Sequence, residues 1–302
     1  MVDNRKTETR WIPCNACGAD AFHELHRIGE WHVGKCSVCS LIYVNPMPFF
    51  KKSDYHHISQ SFYYTKLQYE ITPAKIEFER RQILSQVEEI SKLAPDPAQL
   101  KTFLDVGCGP GLAVHAAVEF GWKAIGIDID SKLVQLGKEQ FGVDLYCRDI
   151  IESCFSENQF SFVRFKSTLQ LLPNPYQVLV EVNRVLVPGG VVLIVVPNEE
   201  GLLNQVSLLF GGKRKKGLGT LVLPYHLHAF TPTTLKRLLA RAGLKIISIK
   251  TATPNDAAYT WVNPSAEGTF VKRKALRLAW RCAAVLNKGS LLVAYARKEP
   301  WL

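Results

Sequence analysis

The sequence contains no apolar run approaching the ~20 residues that a membrane-spanning helix needs. Its longest, Val191 to Val196, has the length of a strand and lies between Gly189-Gly190 and Pro197. The opening MVDNRKTETR has no hydrophobic stretch of the signal-peptide kind, so the expected address is the cytoplasm. Acids are scarce in one region. Residues 201–302 carry only Asp256, Glu267 and Glu299 against 17 Lys and Arg, a net of +14, whereas the first 200 residues come to −4 within a total of +10. That last third is either a solvated basic surface or one that faces an anion: a phosphorylated substrate, a nucleotide-sugar, lipid headgroups or nucleic acid. Charged residues make up 21% of the 302-residue chain and apolar ones 47%, which excludes a disordered chain and leaves room for two domains, or one with additions.

Cysteine is present in number. There are eight, and four fall into Cys14-x-x-Cys17 and Cys36-x-x-Cys39 with 18 residues between the pairs. Two intervening residues let both thiolates of a pair point at one ion from a tight turn, and two such turns complete a tetrahedral zinc site with no open position. The segment between the pairs alternates apolar and polar residues around Gly29, as the hairpin of a zinc ribbon does. Disulfides are the competing account, disfavoured in a cytoplasmic chain. The expected metal role is structural, because a module of about 40 residues has too little core to fold without it. His23, His26 and His32 lie inside the ribbon as alternative ligands, although the four cysteines suffice. Cys108, Cys147, Cys154 and Cys282 read as small buried hydrophobes.

Residues 49–71 are rich in aromatics and histidine, with His56-His57 and Tyr63-Tyr64 as candidate lid residues. Thr72-Pro73 caps a helix to about Lys92 with Ile76, Ile83, Leu84, Val87 and Ile90 on one face. From Lys101 the pattern becomes strand, turn, helix, repeated: strands at 101–106, 123–127, 143–147, 160–165 and 191–196, and helices at 112–120, 131–141 and from Asn174-Pro175 onward. The apolar Val191–Val196 marks a strand buried on both faces. Thr231-Pro232 caps a further helix, followed by strands at 244–249 and 290–296. Alternation of this kind implies a doubly wound α/β sheet. Within 272–286, Arg273, Arg277 and Arg281 form a basic stripe opposite Leu276, Ala279, Ala283 and Leu286.

Between the first strand and helix runs Leu104-Asp105-Val106-Gly107-Cys108-Gly109-Pro110-Gly111. The glycines let backbone approach a ligand closely and turn sharply into a helix N-terminus. The simpler alternative is a strand-to-helix turn that needs glycine for itself. Asp128, at the end of the second strand, stands where a carboxylate takes two ribose hydroxyls, and Asp149 follows the third strand, where one accepts from an adenine amino group.

These residues resemble the class I S-adenosylmethionine (SAM)-dependent methyltransferases. LDVGCGPG is similar to their first motif, IGIDID to their ribose-binding strand end and RVLVPGGVVLIVVPN to a later motif. The chain further resembles a subgroup with an N-terminal zinc ribbon, found in sugar, polysaccharide and small-molecule biosynthesis, through its paired cysteines, HLHAFTPTTLKRLLARAGL and GSLLVAYARK. The resemblance implies a Rossmann-like, doubly wound, seven-stranded sheet with the last strand antiparallel. It divides the chain into a zinc ribbon at 1–48, a lid and helical linker at 49–100 and a methyltransferase domain at 101–302. It implies that Gly107, Gly109 and Gly111 cradle the methionine moiety of SAM near Asp105, with Asp128 on the ribose and Asp149 on the adenine. Two positions depart from the subgroup: Gln170-Leu171 replaces an acid-and-histidine pair, and Phe160-Ser161 replaces Phe-Asp.

SAM carries an electrophilic methyl group, so the protein must position a nucleophile and exclude water. A hydroxyl or acidic carbon also needs a base. Candidates are His226 and His228, with Tyr225 as an orienting hydroxyl; the alternative is that either histidine only holds a loop. The expected function is methyl transfer to a hydroxyl or carbon of a small, anionic acceptor: a sugar, glycan precursor or lipid-linked intermediate. The alternatives are an RNA methyltransferase whose ribbon contacts nucleic acid, and a non-catalytic SAM-binding scaffold consistent with Gln170 and Leu171. Lys213-Arg214-Lys215-Lys216 lacks the interleaved aromatics of base-stacking surfaces. Peripheral membrane contact through 272–286 is compatible with the first reading.

Overall fold

The computed structural model describes residues 8–50, 71–93, 101–209, 220, 221, 223, 225–253 and 279–299. The segments 51–70, 213–216 and 272–278 lie outside these residues, and with them most of the expected lid, the Lys-Arg cluster and most of the basic stripe. No helix among the described residues is long and apolar enough to cross a membrane.

The N-terminal part is a set of short strands: β1 (Glu8–Arg10), β2 (Phe22–Ile28), β3 (Trp31–Cys36), β4 (Ile42–Val44) and β5 (Met47–Phe49). β2 and β3 form the expected hairpin, turning at Gly29, whose φ of +62° suits glycine. Helix α1 (Pro73–Leu93) begins at the expected Thr72 cap, with Lys75 N donating to Thr72 Oγ1 at 3.3 Å. Ile83 and Ile90 are buried, whereas Leu84 is exposed and Gln82 and Gln86 are buried instead. The inner face is turned to meet charged neighbours described below.

Strands and helices then alternate: β6 (Thr102–Val106), α2 (Leu112–Glu119), β7 (Lys123–Asp128), α3 (Ser131–Phe141), β8 (Leu145–Cys147), β9 (Phe160–Lys166), α4 (Pro175–Val185), β10 (Leu186–Pro197) and α5 (Leu202–Leu209). Asp130 caps α3 by accepting from Lys132 N at 3.0 Å, Gly142 closes it with φ +62°, and Asn174 caps α4 by accepting from Gln177 N at 3.2 Å. Pro188-Gly189-Gly190 lies inside β10, which starts at Leu186 and changes register before Val191. Next come β11 (His228–Ala229), α6 (Pro232–Arg241), β12 (Leu244–Ala252), a helical stretch at 279–285 and β13 (Leu291–Lys298). Thr231 and Thr234 make a reciprocal capping box for α6.

Seven strands form one sheet in the order β12-β13-β10-β9-β6-β7-β8, with β13 antiparallel to both its neighbours. This is the expected doubly wound sheet with its last strand reversed. Its two faces bury separate apolar clusters, centred on residues such as Leu104, Val163 and Ile194 on one side and Phe103, Phe162 and Leu193 on the other. Of the isolated cysteines, Cys108 is buried but Cys147, Cys154 and Cys282 are exposed, against expectation. Cys147 ends β8, the edge strand of the large sheet, where one side of the strand has no neighbour among the described residues. His115 of α2 stacks on Phe141 with ring centroids 4.7 Å apart.

The ribbon shares a sheet with the rest of the chain. β11 pairs antiparallel with β4, completing a four-stranded sheet in the order β11-β4-β3-β2. Ribbon residues Leu41, Tyr43 and Met47 belong to the same buried cluster as Leu235 and Leu238 of α6. Arg241, at the C-terminal end of α6, donates to the carbonyls of Cys14 (3.3 Å) and Asn15 (2.8 Å) and lies 3.7 Å above the Tyr176 ring. Arg241→Ala is expected to cost about 2 kcal/mol of unfolding free energy. Urea denaturation measures it, and a change below about 0.5 kcal/mol, the usual size for a surface substitution, would mean that this clamp does not hold the ribbon.

Candidate functional site

β7 and β8 lie to one side of β6, and the chain then returns to place β9 on the other side. The strand order therefore reverses between β6 and β9, and the ends of strands at such a switch point are the usual ligand position in such sheets. A cavity of about 350 Å³ lies there. Asp105, Gly107, Gly109, Asp128, Asp149, Tyr225 and His226 all line it, while Gly111 stands behind the lining as the residue that caps α2.

The backbone of the glycine loop is tied down by hydrogen bonds at Gly107, Cys108, Gly109 and Gly111. Gly107 N and Cys108 N both donate to the Ile127 carbonyl, at 2.8 and 3.1 Å. Gly107 has φ +75°, and a Cβ there would lie 2.3 Å from Thr168 Oγ1, so the loops after β6 and β9 meet with no room for a side chain. Gly111 has φ +75° and would press a Cβ to 2.8 Å from Leu145. Gly109 N donates to Asp128 Oδ2 at 2.8 Å, and Asp130 N to Asp128 Oδ1 at 2.9 Å. Burial pushes the Asp128 carboxyl above its ordinary pKa, and these backbone donors oppose the shift. Asp149 lies on the next loop, where its Oδ1 accepts from Glu152 N at 2.8 Å.

The floor carries a cluster that the sequence reading missed. Arg164 of β9, with 2% of its side chain exposed, donates to Asp105 Oδ2 at 3.3 Å and to Glu79 Oε2 of α1 at 3.0 Å. Lys166, two residues on, pairs with Glu79 and donates to Gln82 Oε1 at 2.7 Å. Burial drives Asp105 up to about 6 despite the Arg164 charge. Burial also acts to raise Glu79, but the attraction of Lys166 and Arg164 exceeds it and holds this carboxyl below the ordinary value. Lys166 is pulled down, because burial outweighs its attraction to Glu79. Two acids and two bases thus share one buried floor, which suits a ligand group bearing both signs. The available signal was two cations at alternate positions of a strand otherwise apolar but for Ser161, which places both on one face.

Tyr225 and His226 enter the cavity from the segment before β11, but His228 does not. It is 2% exposed and stacks between Tyr43 (6.3 Å) and Phe230 (5.8 Å), with Nε2 3.3 Å from Asn15 Nδ2. Burial depresses its pKa to about 3, so it is a neutral packing residue of the ribbon interface, and the expectation that it reaches the reacting centre is corrected. Gln170 is also buried, donating from Nε2 to the Ser167 carbonyl at 2.8 Å, while Leu171 and Leu172 line the cavity. Ser161 joins β9 to β6 by exchanging hydrogen bonds with Thr102, including Ser161 N to Thr102 Oγ1 at 2.9 Å.

In the ribbon, the Sγ atoms of Cys14, Cys17, Cys36 and Cys39 lie within 4.8 Å of one another, with Cys14–Cys39 at 3.4 Å and Cys17–Cys36 at 3.6 Å. No disulfide joins them. Tetrahedral coordination at a zinc–sulfur distance of about 2.3 Å separates ligand sulfurs by about 3.8 Å, so the donor set fits such an ion.

A family model described as a methyltransferase domain matches residues 76–249. Demethylmenaquinone methyltransferase of Staphylococcus aureus (strain MRSA252) is 36% identical over 97 residues, which are 30% of this chain and 40% of that protein. Sterol 4-C-methyltransferase of Caenorhabditis elegans is 32% identical over 94 residues, 29% of this chain and 28% of that protein. The chain therefore spans less than half the length of these relatives. A solved chain from the Haloferax volcanii complex between the Trm112 methyltransferase activator and a protein classed as a methyltransferase has a TM-score of 0.52 at 15% identity, covering 76% of this chain and 95% of that one. This last likeness is one of fold.

Removing the Arg164 charge leaves Asp105 and Glu79 facing each other in the floor. Arg164→Met is expected to lower stability by about 3–5 kcal/mol near neutral pH. Asp105 already has a raised folded pKa, so its proton is held more tightly in the folded chain than in the unfolded one, and the deficit shrinks as pH falls toward 5. Urea denaturation at pH 7.5 and 5.5 measures both effects; an equal loss at the two values would contradict the electrostatic account.

Proposed function

Because this chain belongs to the methyltransferase-domain family, we propose that it transfers a methyl group from SAM to a hydroxyl or carbon of a small molecule. The observation that carries this reading is the convergence, on one cavity of about 350 Å³, of the glycine loop, Asp128 and Asp149 with Tyr225 and His226. Bound there, SAM supplies a methyl group made electrophilic by its sulfonium. Gly107 and Gly109 line the cavity and present no side chain to it, so that backbone lies against the ligand there. Asp128 takes the ribose hydroxyls with the lone pairs not used by Gly109 N and Asp130 N. Asp149 accepts from the adenine amino group. The mixed charges of the floor receive the amino-acid end, with Asp105 and Glu79 toward its ammonium and Arg164 and Lys166 toward its carboxylate.

The acceptor side is apolar where Phe50, Leu171, Leu172 and Val178 line the cavity, and its polar groups are Tyr225 and His226. Small-molecule acceptors are also what the names of the matched menaquinone and sterol methyltransferases indicate for those proteins. Among such acceptors we favour a sugar, a glycan precursor or a lipid-linked intermediate carrying negative charge, which suits the net +14 of residues 201–302. The four ribbon thiolates hold a structural zinc ion, because they leave it no position for substrate.

Calorimetric titration of SAM is expected to show affinity about 10- to 100-fold weaker for Asp128→Ala than for the unaltered chain, the worth of a hydrogen bond to a charged partner. Equal affinities would overturn the ribose assignment, and transfer of labelled methyl to pooled sugar-nucleotide and lipid-linked acceptors tests the acceptor class. Elemental analysis of the purified chain is expected to return one zinc per chain, and Cys36→Ser to lower the melting temperature. A metal-free chain of unchanged stability would contradict the zinc site.

A further inference from the structure

We propose that Glu199 and Thr220 lock the imidazole of His226 in the tautomer that carries its proton on Nδ1, so that Nε2 is the proton acceptor for the substrate. This rests on the methyltransferase reading of the cavity. Glu199 lies just beyond β10 and is 6% exposed. Its backbone N donates to the Phe230 carbonyl at 2.9 Å, and its own carbonyl accepts from Asn204 Nδ2 (2.7 Å) and Gln205 Nε2 (3.0 Å). Thus anchored, its Oε2 takes both donors of Thr220, the backbone N at 2.8 Å and Oγ1 at 2.6 Å. A carboxylate that accepts two hydrogen bonds from one residue fixes the direction of that residue's peptide. The Thr220 carbonyl lies 2.7 Å from His226 Nδ1. A carbonyl can only accept, so Nδ1 carries the proton, and in the neutral ring Nε2 holds the lone pair.

The main chain beside the ring is held as well. Leu227 N donates to the Gln170 carbonyl at 2.9 Å, and the Leu227 carbonyl accepts from Val44 N of the ribbon at 3.0 Å. Proton transfer then has a defined course. The acceptor's O–H or C–H proton moves to the Nε2 lone pair, and the pair left on the acceptor's oxygen or carbon bonds the incoming methyl. The pair of the broken carbon–sulfur bond stays on sulfur. The imidazolium, stabilised through Thr220 by the Glu199 charge, afterwards returns its proton to water. His226 is the catalytic base, and Glu199 and Thr220 are positioning residues.

The test uses the full chain labelled with ¹⁵N-histidine. Long-range ¹H–¹⁵N spectra of the resting protein, with His226→Gln identifying the signals, are expected to show His226 protonated on Nδ1 and unprotonated on Nε2. Thr220→Ser keeps both donors and is expected to preserve this pattern and the rate. Thr220→Val and Glu199→Ala are expected to move proton occupancy toward Nε2. Their kcat should fall about 10- to 100-fold, part of the roughly 10²- to 10⁴-fold a general base supplies, while calorimetric SAM affinity is unchanged. A wild-type ring protonated on Nε2, or a tautomer and kcat unmoved in Thr220→Val, would overturn the lock. The spectrum requires neither cofactor nor acceptor, so a chain that shows the tautomer but never binds SAM would instead refute the methyltransferase reading.

Discussion

The pairing of β4 with β11 is the constraint through which the two halves of this molecule act on each other. The ribbon that gathers four cysteines contributes the strand that pairs with β11, and a neighbouring backbone contact, Val44 N to the Leu227 carbonyl, grips the residue next to His226. On the other side, Leu227 N reaches the turn after β9 through Gln170. One residue therefore joins the ribbon, the sheet and the cavity wall. Leu221, Leu223 and Leu227 bury their side chains in the core cluster that includes ribbon residues Leu41 and Tyr43, so the segment bearing Tyr225 and His226 is packed together with the ribbon. His228 is the cost of this arrangement: a histidine used as a packing plate between Tyr43 and Phe230, kept neutral by burial.

The second constraint is electrostatic. Burying charge under a parallel sheet costs several kcal/mol per ion unless each is paired and hydrogen-bonded. Here one guanidinium serves two carboxylates from different elements, Asp105 of β6 and Glu79 of α1, while Lys166 shares Glu79 and Gln82. The arrangement draws α1 into the cavity floor, so this helix serves the site and is more than a connector between ribbon and sheet. It also keeps a polar, nearly neutral surface where the strands diverge, which a ligand with an amino-acid end can exploit without leaving a single charge uncompensated.

How much was legible follows from the range of each interaction. The glycine loop, the Asp128 and Asp149 strand ends, the helix caps at Asn174 and Thr231 and the two cysteine pairs all express requirements within a few neighbouring residues, so spacing alone displays them. The doubly wound sheet was legible for the same reason, since alternating strands and helices admit few topologies. Glu79, Arg164 and Lys166 were not, because their roles exist only where α1 crosses the sheet. The choice between His226 and His228 was likewise hidden, because it depends on a strand near the start of the chain and on a carboxylate beyond β10.

The amino acids alone thus determined the family, the sheet and the ligand-facing loop, because these rest on backbone geometry that nearby residues dictate. Tertiary structure decided which histidine reaches the cavity, which carbonyl meets its Nδ1 and which charges meet in the floor. Those outcomes depend on desolvation and on partners distant in sequence, and neither has a local signature.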